Sequence, residues 1–469
     1  MVTRQWGRRN SHKPLTDPSD LSEAGQSPLS RRLIMIWLVG TLVLLPVDLI
    51  SLPLNMNLVD FWILMGLPIL VLSFTRAHHV ISFPYTIAIW IILLASFAST
   101  FAAPAPQNSL AVIVKEVYVY IWFVTLTAIL AKLNARDLRR ILVVWSGMVF
   151  VHGFVIVAQF VSPDFWRLTA RLAGSLKDFE IYRPSGLFVN ANSAAIFQLL
   201  GFVPLVLASP SRKRAMILGT VLLLTMLATG SMGAAVAFTA GLAVAILAIF
   251  LSGHLALILK MFVRSAIAIA LLGGLLYLVV SRNERFQEHI ERILVGRADR
   301  SSEGRFDLWQ RGLDAFLDQN TFLWGVGPEN FREVDPAETD NQLHNDLLAF
   351  SVERGLLGAL GLALFAVIAV SRAAYMVVIR NKYPARAQLT VVVFLAASIA
   401  ASVESLTHQV FHFRELWLVL AFQEAMLYRM TISESGVKST LRPRYATPNP
   451  RPGLVVQPHV IEDRLHLAD

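Results

Sequence analysis

The stretch LHNDLLAFSVERGLLGALGLALF, Leu343 to Phe365, sets His344, Asn345, Asp346, Glu353 and Arg354 ahead of a purely apolar run. Histidine is the side chain whose ordinary pKa, about 6.5, lets it take or give a proton at neutral pH. A second group, Glu404, His408 and His412, recurs every four residues. If one helix carried all three they would share a face, a spacing that can bind a metal. No cysteine and no further carboxylate pattern supports a metal, so we read these residues as the polar lining of a cavity. The absence of cysteine also excludes disulfides and thiol nucleophiles.

The elements that position these residues must lie in a membrane. Of 469 residues, 55% are hydrophobic and only 16% charged, too apolar for an ordinary soluble domain. The apolar residues come in runs of about 17–25, the length that crosses a hydrocarbon core of ~30 Å. The runs place about twelve spans near 33–51, 58–75, 83–102, 110–131, 140–162, 190–208, 214–230, 233–251, 262–281, 354–379, 388–407 and 414–431. The expected fold class is therefore all-α and polytopic. Residues 1–32 are a basic, flexible tail and 33–281 hold spans one to nine. Residues 282–343 form a large loop, 344–431 hold the last three spans, and 432–469 are a Pro-rich disordered tail.

Charge orients this arrangement. The loops near 52–57, 103–109 and 231–232 contain no Lys or Arg. The alternate loops carry Arg76, then Lys132, Arg136, Arg139 and Arg140, then Arg212, Lys213 and Arg214, then Arg380, Lys382 and Arg386. Basic residues mark cytoplasmic loops, so both termini are expected in the cytoplasm. The formal charge of +9 is read the same way, not as a signal for nucleic acid. The two long loops, about 163–189 and 282–343, then lie in the periplasm of a Gram-negative cell. Asp48, Asp60, Lys115, Glu116, Gln159 and Glu404 all fall near the outer ends of their spans. Ionisable groups inside a membrane usually face a cavity or a partner, and these six polar residues at one end suggest a polar cavity open to the periplasm. His152, near mid-span, is read as a hydrogen-bonded packing residue, and Glu353 with Arg354 as an interfacial belt.

The large loop has two amphipathic patterns. Phe286, Ile290, Ile293 and Leu294 share one helical face, and Phe306, Trp309, Leu313, Phe316 and Leu317 share another. Arg305 and Arg311 lie off the second stripe, and Arg311 is read as solvated. FLWGVGPENF then forms a turn with Gly325, Gly327 and Pro328.

His344-Asn345 is followed by nine residues, Gly355, two residues and Gly358. This pattern resembles the signature of the bacterial O-antigen ligase family, whose superfamily also holds O-antigen and exopolysaccharide polymerases. RPSGLFVNANSAAIF, Arg183 to Phe197, resembles the family's segment entering a middle span. GRFDLWQRGLDAF with FLWGVGPENF resembles its outer-loop helix and glycine turn. The resemblance covers about residues 33–431. It departs at Ser231-Met232-Gly233, where such proteins often show Ser-Arg-Gly.

The resemblance implies an inverting, metal-independent membrane glycosyltransferase without a cofactor. Its donor is a glycan on undecaprenyl pyrophosphate. Its acceptor is a sugar hydroxyl of the lipid A core in a ligase, or another lipid-linked glycan in a polymerase. It implies that Arg183 and Arg305 hold the pyrophosphate, since Arg forms bidentate bonds to such anions. Lys115, or the pair Asn190 and Asn192, would support the phosphates or the sugar, and His344 would take the acceptor proton. His344 precedes the uncharged run by eleven residues, about 16 Å of helix, at the outer edge of the hydrocarbon. Ser351, Gly355 and Gly358 follow at helical spacing, a small-residue face for close helix contact. Twelve spans also suit a transporter. Transporters of two six-span halves place their long connection in the cytoplasm after span six. Here the long loop follows span nine and is expected outside.

Overall fold

The computed structural model describes residues 28–48, 51–52, 56–74, 84–172, 183–209, 211–253, 298–318, 321–335, 343–380 and 385–440, together with 267 and 274. The helices are α1 (Pro28–Leu44), α2 (Leu58–Phe74), α3 (Thr86–Thr100), α4 (Pro106–Lys132) and α5 (Ala135–Val161). Then come α6 (Pro163–Leu172), α7 (Ala191–Leu200), α8 (Phe202–Ala208), α9 (Arg212–Ala228) and α10 (Met232–Leu251). The last are α11 (Ala298–Leu317), α12 (Phe331–Val334), α13 (Asp346–Arg380), α14 (Ala385–Glu404) and α15 (Arg414–Thr440). A two-residue antiparallel pair, Ser51–Leu52 with Met56–Asn57, turns the chain between α1 and α2.

Five segments among the described residues are long and apolar enough to cross a membrane: Pro106–Lys132, Ala135–Val161, Ala191–Ala208, Met232–Leu251 and Asp346–Ile379. Their outward faces suit lipid. Ile87, Trp90, Leu94 and Phe97 on α3 are exposed, as are Leu357, Leu360, Val367 and Val378 on α13. Such wide apolar surfaces do not stay in water. The span expected near 262–281 and the stripe of Phe286, Ile290, Ile293 and Leu294 lie outside the described residues. Helix α15 continues to Thr440, into the stretch that composition assigned to a disordered tail.

The core joins distant segments. Trp122, Phe123, Trp145, Phe394, Trp417 and Phe422 are all buried. Helix α10 lies along α14, where Gly241 permits close approach: a Cβ there would meet Ala396 O at 2.6 Å. Buried ion pairs tie the bundle further. The Arg354 guanidinium donates to Glu116 Oε1 at 2.6 Å and to Ser96 Oγ at 2.8 Å, and lies over the Phe350 ring. His412 Nε2 lies 2.9 Å from the same Glu116 oxygen. Arg354 is therefore buried at 1% exposure and bridges helices, so the interfacial-belt reading is corrected. Its charge is tolerable in the interior only because this geometry satisfies it. Asp60 pairs with Arg414 and Tyr118, and Glu424 with Arg372.

Helix α13 is broken at Gly355, where φ is 66° and ψ −168°. The turn after α11 docks into the break. Val326 N donates to Val352 O at 3.0 Å and Gly327 N to Glu353 O at 2.8 Å. Leu356 N donates to Phe322 O at 2.8 Å. In an unbroken helix those two carbonyls would serve Leu356 and Leu357. Gly355 is thus not part of a continuous small-residue face. It makes room for the glycine turn, whose Leu323 O would lie 2.1 Å from an added Cβ.

Candidate functional site

His344 stands just before α13, in the left-handed region at φ 48°. Its neighbours fix it there. The Leu343 carbonyl accepts from Trp309 Nε1 of α11 at 2.9 Å, and Asn345 Oδ1 accepts from Leu348 N at 3.0 Å, capping the helix. The buried face of α11 is Leu308 and Gly312, the latter against Leu343 and Leu348. The expected stripe does not pack as a unit: Phe306, Leu313 and Leu317 are exposed. Arg311 is not free in solvent either, for it pairs with buried Asp335 at 3.0 Å.

Asp346 brings a second histidine to the first. Its Oδ2 accepts from Val410 N at 2.7 Å and from Phe411 N at 2.9 Å. Its own N–H donates to Ser405 O at 2.7 Å. These bonds clamp the segment after α14 onto the head of α13. The His408 ring then lies nearly parallel to His344, centroids 5.6 Å apart and planes at 19°. Helix α14 ends at Glu404, so Glu404, His408 and His412 do not share a helical face. His408 turns to His344 while His412 turns to Glu116.

Arg183 enters from the segment before α7. Its guanidinium donates to Asn192 Oδ1 at 2.8 Å, and its carbonyl accepts from Trp166 Nε1 at 2.9 Å. Asn190 caps α7 through the Asn192 N–H. Gln159 shapes the loop by accepting from Ser185 N and Gly186 N at 2.9 and 2.8 Å. His152 is fully buried, lies 2.8 Å from Gln198 Nε2 and packs between Phe188 and Phe197. Arg305 of α11 acts electrostatically on His344, His408 and Glu404, and Arg183 acts on His408. Arg332, which the sequence did not single out, also acts on His344. Lys115 belongs to a different group, with Arg414, Asp60, Glu329 and Asp48.

The structure thus gathers His344, His408, Glu404, Arg183, Arg305 and Arg332. Burial, helped by the positive charge of Arg305 and Arg332, pushes the His344 pKa down to about 4. Burial, with His344, Arg305 and Arg183 beside it, pushes His408 down to about 3. Both imidazoles are neutral at neutral pH. Each then offers one N–H and one lone pair. Among the described residues, the buried Nδ1 atoms of both rings and Oε2 of Glu404 meet no hydrogen-bond partner.

These shifts predict how stability depends on pH. Each folded-state pKa lies below the ordinary 6.5, so the unfolded chain binds more protons between the two values. The contribution is fully present above pH 6.5 and is lost as pH falls toward 4. Thermal unfolding in detergent should show this loss, and the double variant His344→Asn, His408→Phe should lose less. Equal slopes for wild type and variant between pH 7 and 4 would refute it.

An all-helical, multi-pass membrane protein with a candidate site of arginines and histidines at the head of one helix is the class these features define. Residues 215–363 match the family model described as O-antigen ligase. The matched segment takes in Arg305, His344, Gly355 and Gly358, but neither Arg183 nor His408. Among curated proteins no match is found.

Proposed function

We propose that this protein transfers a glycan from undecaprenyl pyrophosphate to a sugar hydroxyl of the lipid A core, on the periplasmic face of the inner membrane, with both termini in the cytoplasm. The observation that carries the reading is the placement of His344, a neutral imidazole fixed at a helix head beside two arginines. The family match supports the reaction class. In the reaction the acceptor oxygen bonds to the anomeric carbon as its proton passes to His344. The bond from that carbon to the phosphate oxygen breaks, and the electron pair leaves with the pyrophosphate. Arg183 and Arg305 hold the charge that develops there, the electrostatic help that most lowers such a barrier. Asn192 orients Arg183, and Asn190 caps the helix that carries Asn192. Lys115, grouped with Asp48 and Asp60, is left out of the phosphate-binding set.

Purified protein given the lipid-linked glycan and a lipid A core acceptor should form glycosylated lipid A. Arg183→Ala and Arg305→Ala should lose most of that transfer. A second reading, a polymerase that joins lipid-linked repeats, is favoured by Met232, which is 77% exposed where the resembling proteins often carry a basic side chain. Longer lipid-linked glycans with nothing on lipid A would replace the ligase reading by the polymerase one.

A further inference from the structure

His344 has a companion that lies outside both the histidine–glycine pattern and the matched segment. His408 is 6% exposed and its ring lies nearly parallel to that of His344, centroids 5.6 Å apart, with the Phe413 ring 5.7 Å from it on another side. We propose, resting on the transferase reading, that His408 is a positioning residue whose ring fixes the plane of His344 and supports the imidazolium that forms when His344 takes the acceptor proton. A cation within about 6 Å of a ring centroid is attracted to the ring face. The 5.6 Å parallel stack meets that geometry. The other groups around His344 act in the opposite sense, since Arg305 and Arg332 both resist a new positive charge. His408, itself neutral, presents its ring toward the new cation instead of a further charge.

The clamp shows how the fold holds this arrangement. Asp346 is 1% exposed and is the second residue after His344. Its three backbone hydrogen bonds, to Ser405, Val410 and Phe411, flank His408 on both sides. One buried residue, through its carboxylate and its own N–H, therefore sets the distance between two histidines that lie 64 residues apart in the chain (344 to 408). This pairs the two chemical features of the opening stretch: His344 does the chemistry and Asp346 brings its support.

The test follows the His344 titration directly, by NMR of protein labelled with 15N-histidine in detergent, the signal assigned by its loss in His344→Asn. In His408→Leu the His344 titration should move to lower pH by about one unit, because the ring face that favours the cation is gone. In His408→Phe it should return toward the wild-type value. Transfer should follow, with kcat down about tenfold in His408→Leu and largely restored in His408→Phe. Asp346→Ala should resemble His408→Leu, and Asp346→Asn, which keeps an acceptor for Val410 and Phe411, should recover. An unmoved titration in His408→Leu would overturn the proposal. So would a His408→Phe variant as impaired as His408→Leu, since the imidazole nitrogens would then be what matters. Failure of the wild type to transfer any glycan would sink the transferase reading alone, because the NMR arm needs no substrate.

Discussion

His344→Asn should lower kcat for glycan transfer by about 10²–10⁴-fold, the usual contribution of a positioned general base. Asparagine is the informative replacement. The position has φ 48°, a left-handed conformation that asparagine tolerates better than most residues, whereas alanine adds backbone strain to the loss of the imidazole. The Trp309 bond to the Leu343 carbonyl and the Asn345 cap are both independent of the side chain at 344. The variant should therefore insert and unfold thermally much as the wild type does. The pH profile carries further information. In the free protein His344 is pushed down to about 4, too low for a strong base. An anionic pyrophosphate held by Arg183 and Arg305 would offset the positive charge around it and raise its proton affinity. The acid limb of kcat/KM should thus fall near pH 4, and that of kcat at a higher pH. Full transfer by His344→Asn would remove the residue from the chemistry.

His344 stood out in the sequence as a candidate because a polar head on an apolar helix is unusual and because the spacing to Gly355 and Gly358 matches a pattern. Arg183, with its asparagines, was legible for the second of those reasons. Other features depend on contacts that spacing cannot show. Arg354 sits at the edge of an apolar run, where a basic residue ordinarily reaches for the interface. Its partner Glu116 lies 238 residues away in sequence, so the buried pair had no local sign. His408 was visible only as one of a periodic trio, and the end of α14 at Glu404 breaks that period. Asp346 looks like an ordinary first-turn acid; its clamp on Val410 and Phe411 is a tertiary fact. The α11 stripe misled for a different reason. Periodicity marks an apolar face but does not say whether protein or lipid covers it, and here Leu308 and Gly312 face the protein. Gly355 shows the same limit in backbone terms, since helical spacing from Ser351 to Gly358 conceals a residue that is not helical at all.

Gly355→Ala should destabilise the protein by more than about 3 kcal/mol and abolish transfer with it. Two penalties combine. At φ 66° and ψ −168° the backbone occupies a region open essentially to glycine alone. An added Cβ would also meet Leu323 O at 2.1 Å and Leu323 C at 2.4 Å, both backbone atoms that no side-chain rotation can move away. Relief has only two routes. Either the turn leaves the helix, giving up the bonds from Val326, Gly327 and Leu356, or the break straightens and the residues before it swing. Both routes disturb His344, because the turn and α11 hold the head of α13 through Trp309 and Leu343. Gly358 is crowded too, though without the backbone penalty, its Cβ position 2.2 Å from the Arg354 Cβ. Gly304→Ala is the matched control. That glycine lies inside α11 with nothing within 4 Å of an added Cβ, so alanine there should stabilise by up to about 1 kcal/mol. Thermal unfolding of the two variants in detergent should move in opposite directions from the wild type. A Gly355→Ala protein that unfolds at the wild-type temperature would show that the turn does not depend on the break, and that the glycine pattern serves something other than the seating of His344.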